Sequence, residues 1–230
     1  MADLTLAVAQ PPCRPRDVTA NVAAHAAAVR AAQARVVVFP ELSLTGYVLD
    51  AEEVSPGDPR LAPLIEACAE TGTLALAGAP VPGRGLGVLA VDGEGARVAY
   101  RKIYLHSTEA VHFAPGEQPE VIEVDGWRLG LAVCRDAGVP EHPARTAALG
   151  IDAYLVGAVD TPDEAAIQQE RAERIATAYG VWVAYASCAG PTGSGYDETA
   201  GRSGVWSPGG ALVERAGARP GEIARATLVR

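Results

Sequence analysis

The chain has 230 residues, with 19 Lys and Arg, 28 Asp and Glu, and a formal net charge of −9 at pH 7. That balance argues against a nucleic-acid binder, which needs a basic stripe to neutralise phosphates, and against a polybasic membrane anchor. Apolar residues make up 49% and charged residues 20%, so the chain can bury a core, and its length suits a single domain over 1–230.

Residues 3–10 alternate apolar and polar side chains up to Pro11-Pro12, the pattern of a short strand. Asp17 opens a helical stretch to about 34, in which Val18, Val22, Ala26 and Val29 recur at helical spacing. The β-branched and aromatic run 36–40 reads as a strand buried on both faces. A helix over 62–71 stops at Gly72, and a strand over 73–79 follows. Short strands are expected at 85–91, 97–101, 120–124 and 128–133; Asp125-Gly126 is a type I′ turn signal that joins the last two. A short helix covers 141–149 and a strand 152–156. Thr161 and Pro162 start a longer helix that runs to Tyr179 and ends at Gly180. Strands at 181–187, 204–207, 211–214 and 222–226 close the chain. Helices alternating with strands in both halves, around a run of hairpins, imply an α/β fold of helix-covered sheets.

The start of the chain lacks the basic-then-apolar pattern of a signal peptide, and no apolar run approaches the ~20 residues of a membrane span. A cytoplasmic location away from membranes is therefore expected. Cys13, Cys68, Cys134 and Cys188 form no close pair, and His25, His106, His112 and His142 show no metal-ligand spacing. Neither a disulfide framework nor a metal or other cofactor is expected. Cys13, Cys68 and Cys188 read as packing residues.

Of the 19 basic residues, 18 are arginine and one, Lys102, is lysine. In a chain that spells its cations Arg, a retained Lys fits a site needing a compact ammonium. Lys102 also falls at a strand end, and it has company. The run Val36–Val38 with Phe39 and Pro40 leads into Glu41, the strand before Lys102 ends at Arg101, and the run 129–133 leads into Cys134. Strand ends of α/β sheets are where ligands and reactive groups collect. A thiolate nucleophile, a carboxylate base and an ammonium for an oxyanion make a coherent chemical set.

These segments resemble the nitrilase, or carbon–nitrogen hydrolase, superfamily. FPELSLTGY around Glu41 is similar to the general-base segment, and YRKIYL around Lys102 to the lysine segment. Glu109, followed by HFAPG, resembles the second glutamate, and GLAVCRDAGVPEHPAR the nucleophile segment. The resemblance implies a four-layer α-β-β-α sandwich, a homodimer, and catalytic roles for Glu41, Lys102, Glu109 and Cys134 without a cofactor. It implies that Glu41 takes the proton of Cys134 and that Lys102 and the backbone N–H of Arg135 hold an oxyanion. Arg135, Tyr47 and His106 are the expected substrate contacts. Cys134-Arg135-Asp136 lacks the Trp-Glu that follows the cysteine in nitrile-hydrolysing members, which points to the amidase and carbamoyl-hydrolase branches. YASCAG at 185–190 departs from an Asn common before that glycine. The family's C-terminal arm is expected to be reduced.

The expected activity is hydrolysis of a small linear amide through an acyl-thioester. An N-carbamoyl (ureido) substrate, acyl transfer to an amine, and a silent binding protein on the same scaffold are the alternatives. Asp136 and Arg145 read as an internal ion pair or cap, His112 as structural, and a Cys134–His142 dyad is geometrically conceivable. Specificity is expected in the loops 48–60 and 190–203.

Overall fold

The computed structural model describes residues 2–230. Its strands form two six-stranded sheets. The first contains β1 (Leu4–Ala9), β2 (Val36–Val38), β3 (Leu74–Val81), β4 (Gly85–Asp92), β5 (Gly95–Arg101) and β12 (Ile223–Leu228), in the order β12-β1-β2-β3-β4-β5. The second contains β6 (Val121–Val124), β7 (Trp127–Val133), β8 (Ala153–Ala158), β9 (Trp182–Ser187), β10 (Gly204–Trp206) and β11 (Leu212–Arg215), in the order β11-β10-β9-β8-β7-β6. Strands β1, β2 and β3 are mutually parallel, as are β7, β8 and β9, and the remaining pairs are antiparallel.

Strand periodicity sorts the side chains by size. Leu4, Leu6, Val8, Val36, Val38, Leu74 and Leu76 point from the first sheet into a core shared with Leu129, Leu131, Leu155 and Val183 of the second. Their alternates, Ala7, Ala9, Val37, Ala75 and Ala77, face outward and pack under α1 (Val18–Ala32) and α2 (Ala62–Thr71). Small outward residues let these helices settle close to the sheet. On the far side, α3 (Arg135–Gly138), α4 (Glu141–Ala147) and α5 (Ala165–Tyr179) cover the second sheet. The layering is α-β-β-α, as the resemblance implied.

Local signals acted where expected. Asp17 accepts from the N–H of Ala20 at 3.0 Å to start α1. Asp125 and Gly126 take positive φ values of 51° and 82°, which make the type I′ turn between β6 and β7. Thr161 and Glu164 form a capping box over a 3-10 turn, Pro162–Glu164, that leads into α5, and Gly180 ends α5 in the left-handed region. Strand β3 runs past the expected stop at 79, because Val81 pairs with Gly85 at the mouth of the β3–β4 hairpin. Among the described residues no helix is long and apolar enough to cross a membrane.

Candidate active site

Three strand ends meet between the sheets. Strand β2 delivers Glu41, β5 delivers Lys102 and β7 delivers Cys134. The Glu41 turn is held between both sheets by the absence of two side chains. A Cβ at Gly78 of β3 would stand 2.3 Å from the Pro40 carbonyl, and one at Gly157 of β8 would stand 2.6 Å from the Phe39 carbonyl. Beneath the turn, the imidazole of buried His25 bridges the Ser43 hydroxyl at 2.8 Å and the Asn21 carbonyl at 2.7 Å.

Lys102 has no exposed surface. Its Nζ donates to Glu41 Oε1 at 2.7 Å and to Glu109 Oε1 at 2.8 Å. An ammonium has three protons, so one remains for a third acceptor. Burial works against the charge on Lys102, but Glu41, Cys134 and Glu109 outweigh it and the pKa is raised. Glu109 is buried as well, with Oε1 also accepting from the Tyr47 hydroxyl at 2.7 Å and Oε2 from the His106 N–H at 2.8 Å. Burial alone would raise its pKa, yet Lys102 and these donors hold it below the ordinary value. Glu109 thus holds its charge more readily than a free carboxyl and pairs with the lysine.

Glu41 differs. Burial pushes its carboxyl up to about 7, against the pull of Lys102 and with a push from Glu109. Its Oε2 is buried without a hydrogen-bond partner among the described residues. Two carboxylates share one lysine, and their surroundings separate their proton affinities; one is poised to exchange a proton near neutrality and the other is not.

Cys134 sits between β7 and α3 with φ 45° and ψ −99°. That left-handed backbone is strained for a residue with a Cβ, at roughly 1–3 kcal/mol. The strain is held by the Cys134 N–H, which donates to the Gly157 carbonyl at 2.9 Å, and by the Ala137 N–H, which donates to the Cys134 carbonyl at 3.0 Å. Burial first, then the Glu41 charge, pushes the thiol well above its usual value, so it rests protonated. As the first residue of α3, Arg135 has a backbone N–H with no acceptor inside the helix.

Asp136 locks the lysine loop to the cysteine turn. Its Oδ1 accepts from the N–H groups of Ile103 and Tyr104 at 3.3 and 2.9 Å, and its Oδ2 from the Val133 N–H and the Tyr100 hydroxyl at 2.9 and 2.8 Å. The expected Asp136–Arg145 ion pair is therefore corrected: the carboxylate is spent on these donors, and Arg145 lies exposed on α4. The Cys134–His142 dyad does not form either, because the His142 ring is taken by the hydroxyls of Tyr100 and Tyr154 at 2.8 and 2.7 Å.

A cleft of about 190 Å³ opens onto Cys134. Tyr47, His106 and Arg135 line it, together with Val139, Val159, Asp160, Glu164, Arg171 and Tyr196. Tyr196 comes from the 190–203 loop and meets the Tyr47 ring edge-on at 4.9 Å; the 48–60 loop supplies none of these lining residues. Asp160 and Arg171 were not singled out from the sequence. Asp160 stands just past the end of β8, the same position relative to a buried strand that marked Glu41, Lys102 and Cys134. Burial pushes Asp160 up to about 6 against the pull of Arg171, and its Oδ2 has no partner among the described residues. Among those residues no cluster of three or more His, Cys, Asp or Glu is arranged to hold a metal ion.

The arrangement offers a buried thiol, a carboxylate with a free oxygen and neutral-range proton affinity, and a buried ammonium. Such a set can attack an electrophilic carbon and steady the resulting oxyanion. Known proteins share the frame. The amidase from Nesterenkonia sp. AN1, in a variant carrying the product of Michael addition of acrylamide at its active-site cysteine, superposes with a TM-score of 0.88. The two are 28% identical, over 98% of this chain and 93% of that one. Another variant of that amidase, in complex with butyramide, gives 0.87 at 28% identity, over 98% and 90% of the two chains. A hydrolase from the pqqF 5′ region of Pseudomonas protegens is 34% identical over 66% of this chain and 58% of its own length. An (R)-stereoselective amidase from a Pseudomonas species is 29% identical over 57% of this chain and 51% of its own. The chain thus spans little more than half the length of these two relatives. The carbon-nitrogen hydrolase family model matches residues 5–230. With that match over nearly its whole length, the chain belongs to the carbon–nitrogen hydrolase family.

Proposed function

We propose that the protein hydrolyses the C–N bond of a small linear amide through an acyl-thioester on Cys134. The observation that carries this reading is the state of Glu41: buried, raised to about 7, with one oxygen held by Lys102 and the other free. A thiol that rests protonated needs such a base. Glu41 takes the Cys134 proton as sulfur bonds to the amide carbon. The third proton of Lys102 and the N–H of Arg135 hold the oxyanion of the tetrahedral intermediate. The C–N bond then breaks, and the leaving ammonia takes the proton from Glu41. Water gives a proton to the same carboxylate, adds to the thioester and releases the acid, and the proton returns to sulfur. Glu109 keeps Lys102 charged and fixed throughout. The fit of the neighbouring amidase supports the amide over the ureido substrate.

Intact-mass spectrometry with butyramide tests the scheme. Glu41→Gln is expected to accumulate little acyl adduct, Cys134→Ala none, and wild type to release ammonia. Equal inertness of wild type and Cys134→Ala towards butyramide, shorter amides and ureido acids would refute it. Adding hydroxylamine separates hydrolysis from acyl transfer, since a transferase returns the hydroxamate as its main product.

A further inference from the structure

Away from the cleft, a pocket of about 160 Å³ lies between the start of α5 and the β10–β11 hairpin, and it shares no lining residue with the Cys134 site. Two buried polar side chains line it without being satisfied. Gln168 and Trp206 are 2% and 1% exposed, yet Gln168 Oε1 and Trp206 Nε1 have no hydrogen-bond partner among the described residues. The other two tryptophans show the usual arrangement: Trp127 and Trp182 donate their indole N–H groups to the carbonyls of Ala2 and Val229 at 2.9 and 3.0 Å. An orphaned buried polar atom is costly, and a donor and an acceptor orphaned around one pocket call for something that serves both. The Gln168 amide is oriented by its Nε2, which donates to the Arg202 carbonyl at 3.4 Å, so the group left over is an acceptor.

Two cations line the same pocket. Arg215 of β11 stands directly opposite Gly204 of β10, and Trp206, two residues on, shares that face of the strand. Glycine at 204 makes the room: a Cβ there would stand 2.9 and 3.1 Å from Cη2 and Cζ3 of Trp206, so the indole occupies the space a side chain would take. Arg202, near the end of the 190–203 loop, holds the left-handed φ of 54° that a side chain rarely adopts. Both arginines are exposed, and among the described residues neither has a carboxylate at ion-pair distance. Acidic groups close by in sequence are engaged elsewhere. Glu173 accepts from Gln169 at 2.7 Å, Glu164 serves its capping box, and Glu214 accepts from the backbone N–H of Arg215 at 3.1 Å.

We propose that this pocket binds a protonated phosphate group, either free hydrogen phosphate or the end of a phosphate monoester. The two guanidiniums and the Trp206 N–H supply donors to its charged oxygens, and Gln168 Oε1 takes its remaining proton. That acceptor discriminates. Sulfate matches hydrogen phosphate in shape and charge but has no proton to give, so it would meet Gln168 oxygen to oxygen. The volume is below the ~300 Å³ at which pockets begin to hold drug-sized molecules, and it suits a single phosphate. Bound there, the group ties the end of the 190–203 loop to α5 and to the hairpin. The assignment stands independently of the amidase reading.

The test is calorimetric titration of the full chain at pH 7 with inorganic phosphate, sulfate and glycerol 3-phosphate, alongside ¹H–¹⁵N spectra of the indole groups. Phosphate is expected to bind at least about tenfold tighter than sulfate, and to shift the indole resonance that Trp206→Phe removes. Arg202→Gln and Arg215→Gln are each expected to weaken phosphate about tenfold, and Gln168→Leu to bring phosphate and sulfate to within about threefold of each other. Glycerol 3-phosphate binding tighter than inorganic phosphate assigns the site to a monoester, and weaker binding assigns it to the free ion. No saturable phosphate binding, equal affinity for phosphate and sulfate in wild type, or a phosphate affinity unchanged in both arginine variants would overturn the assignment.

Discussion

Replacing Lys102 with arginine keeps the charge and follows the chain's own habit of spelling cations as Arg, yet it is expected to stop turnover. The Nζ of Lys102 fits between two carboxylate oxygens at 2.7 and 2.8 Å, with no exposed surface around the side chain. A guanidinium adds two heavy atoms and a rigid plane to that space. The charge of Glu41 and Glu109 stays compensated, so the roughly 3–5 kcal/mol of a broken buried pair is avoided. What remains is overpacking, about 1–3 kcal/mol, or a fall in Tm of roughly 3–10 °C for a domain of this size. The chemical loss is larger. The single free proton that Lys102 directs at the oxyanion is displaced, which by itself costs about 10²–10³ in rate, and Glu41 moves with it. A kcat at least about 10³-fold below wild type is expected, with a cooperative melt retained. Ammonia release from a saturating amide, thermal melting and intact mass measure the three quantities. A folded Lys102→Arg protein with kcat within about tenfold of wild type would refute the compact-cation argument. Lys102→Met is the contrasting variant: it strands both carboxylates and is expected to lose roughly 3–5 kcal/mol of stability.

Three further outcomes follow from the same geometry. Because Glu41 must be ionised to act as a base and burial raises it to about 7, kcat/KM is expected to fall on the acid side with an inflection near 7; a flat profile down to pH 5 would remove Glu41 from that role. Burial lowers His25 to about 4, so the unfolded chain binds the extra proton first, and stability is lost as pH falls from the ordinary histidine range towards 4. Between pH 7 and 5 this amounts to about 2 kcal/mol, read as a Tm difference that shrinks in His25→Gln; an identical pH dependence in the two proteins would contradict it. Asp136→Asn leaves one oxygen to serve two pairs of donors, so a stability loss of about 1–3 kcal/mol is expected, together with a lower kcat as the Lys102 loop loosens from the cysteine turn. Unchanged melting and kcat would show that Asp136 does not couple the two segments.

The strands and their terminal residues were legible because burial on both faces writes itself as an unbroken apolar run, and a charge at its end marks where the run leaves the core. Glu41, Lys102 and Cys134 were found in that way. Asp160 obeys the same rule at the end of β8, and applying it evenly along the chain would have found it. Arg171 gave no such signal. It lies on α5 amid Glu170, Glu173 and Arg174, a mixture that any solvated helix face shows, and what draws it into the cleft, Asp160 and Tyr185 beside it and the missing side chain at Gly138, lies on other elements. The misreading of Asp136 has a related cause. Its partners Tyr100, Ile103 and Tyr104 lie more than thirty residues upstream, whereas Arg145 was merely nearby in sequence. Polar partnerships across the sandwich leave no local period to read.

The pinning of the Glu41 turn between Gly78 and Gly157 limits how an enzyme of this design can change its appetite. The backbone of the base touches one strand from each sheet, so any shift of one layer against the other would carry the carboxylate away from Lys102 and Cys134. A Cβ at either glycine would meet main-chain atoms rather than a pliable side chain. New substrates cannot be accommodated by remodelling the floor of the cleft. They have to be won at its walls, where Tyr196 stands on a loop and Arg171 on a helix surface, and where replacements leave the reacting groups in place. A library that varies the 190–203 loop and the cleft-facing side of α5 while keeping both glycines is the natural route to altered specificity.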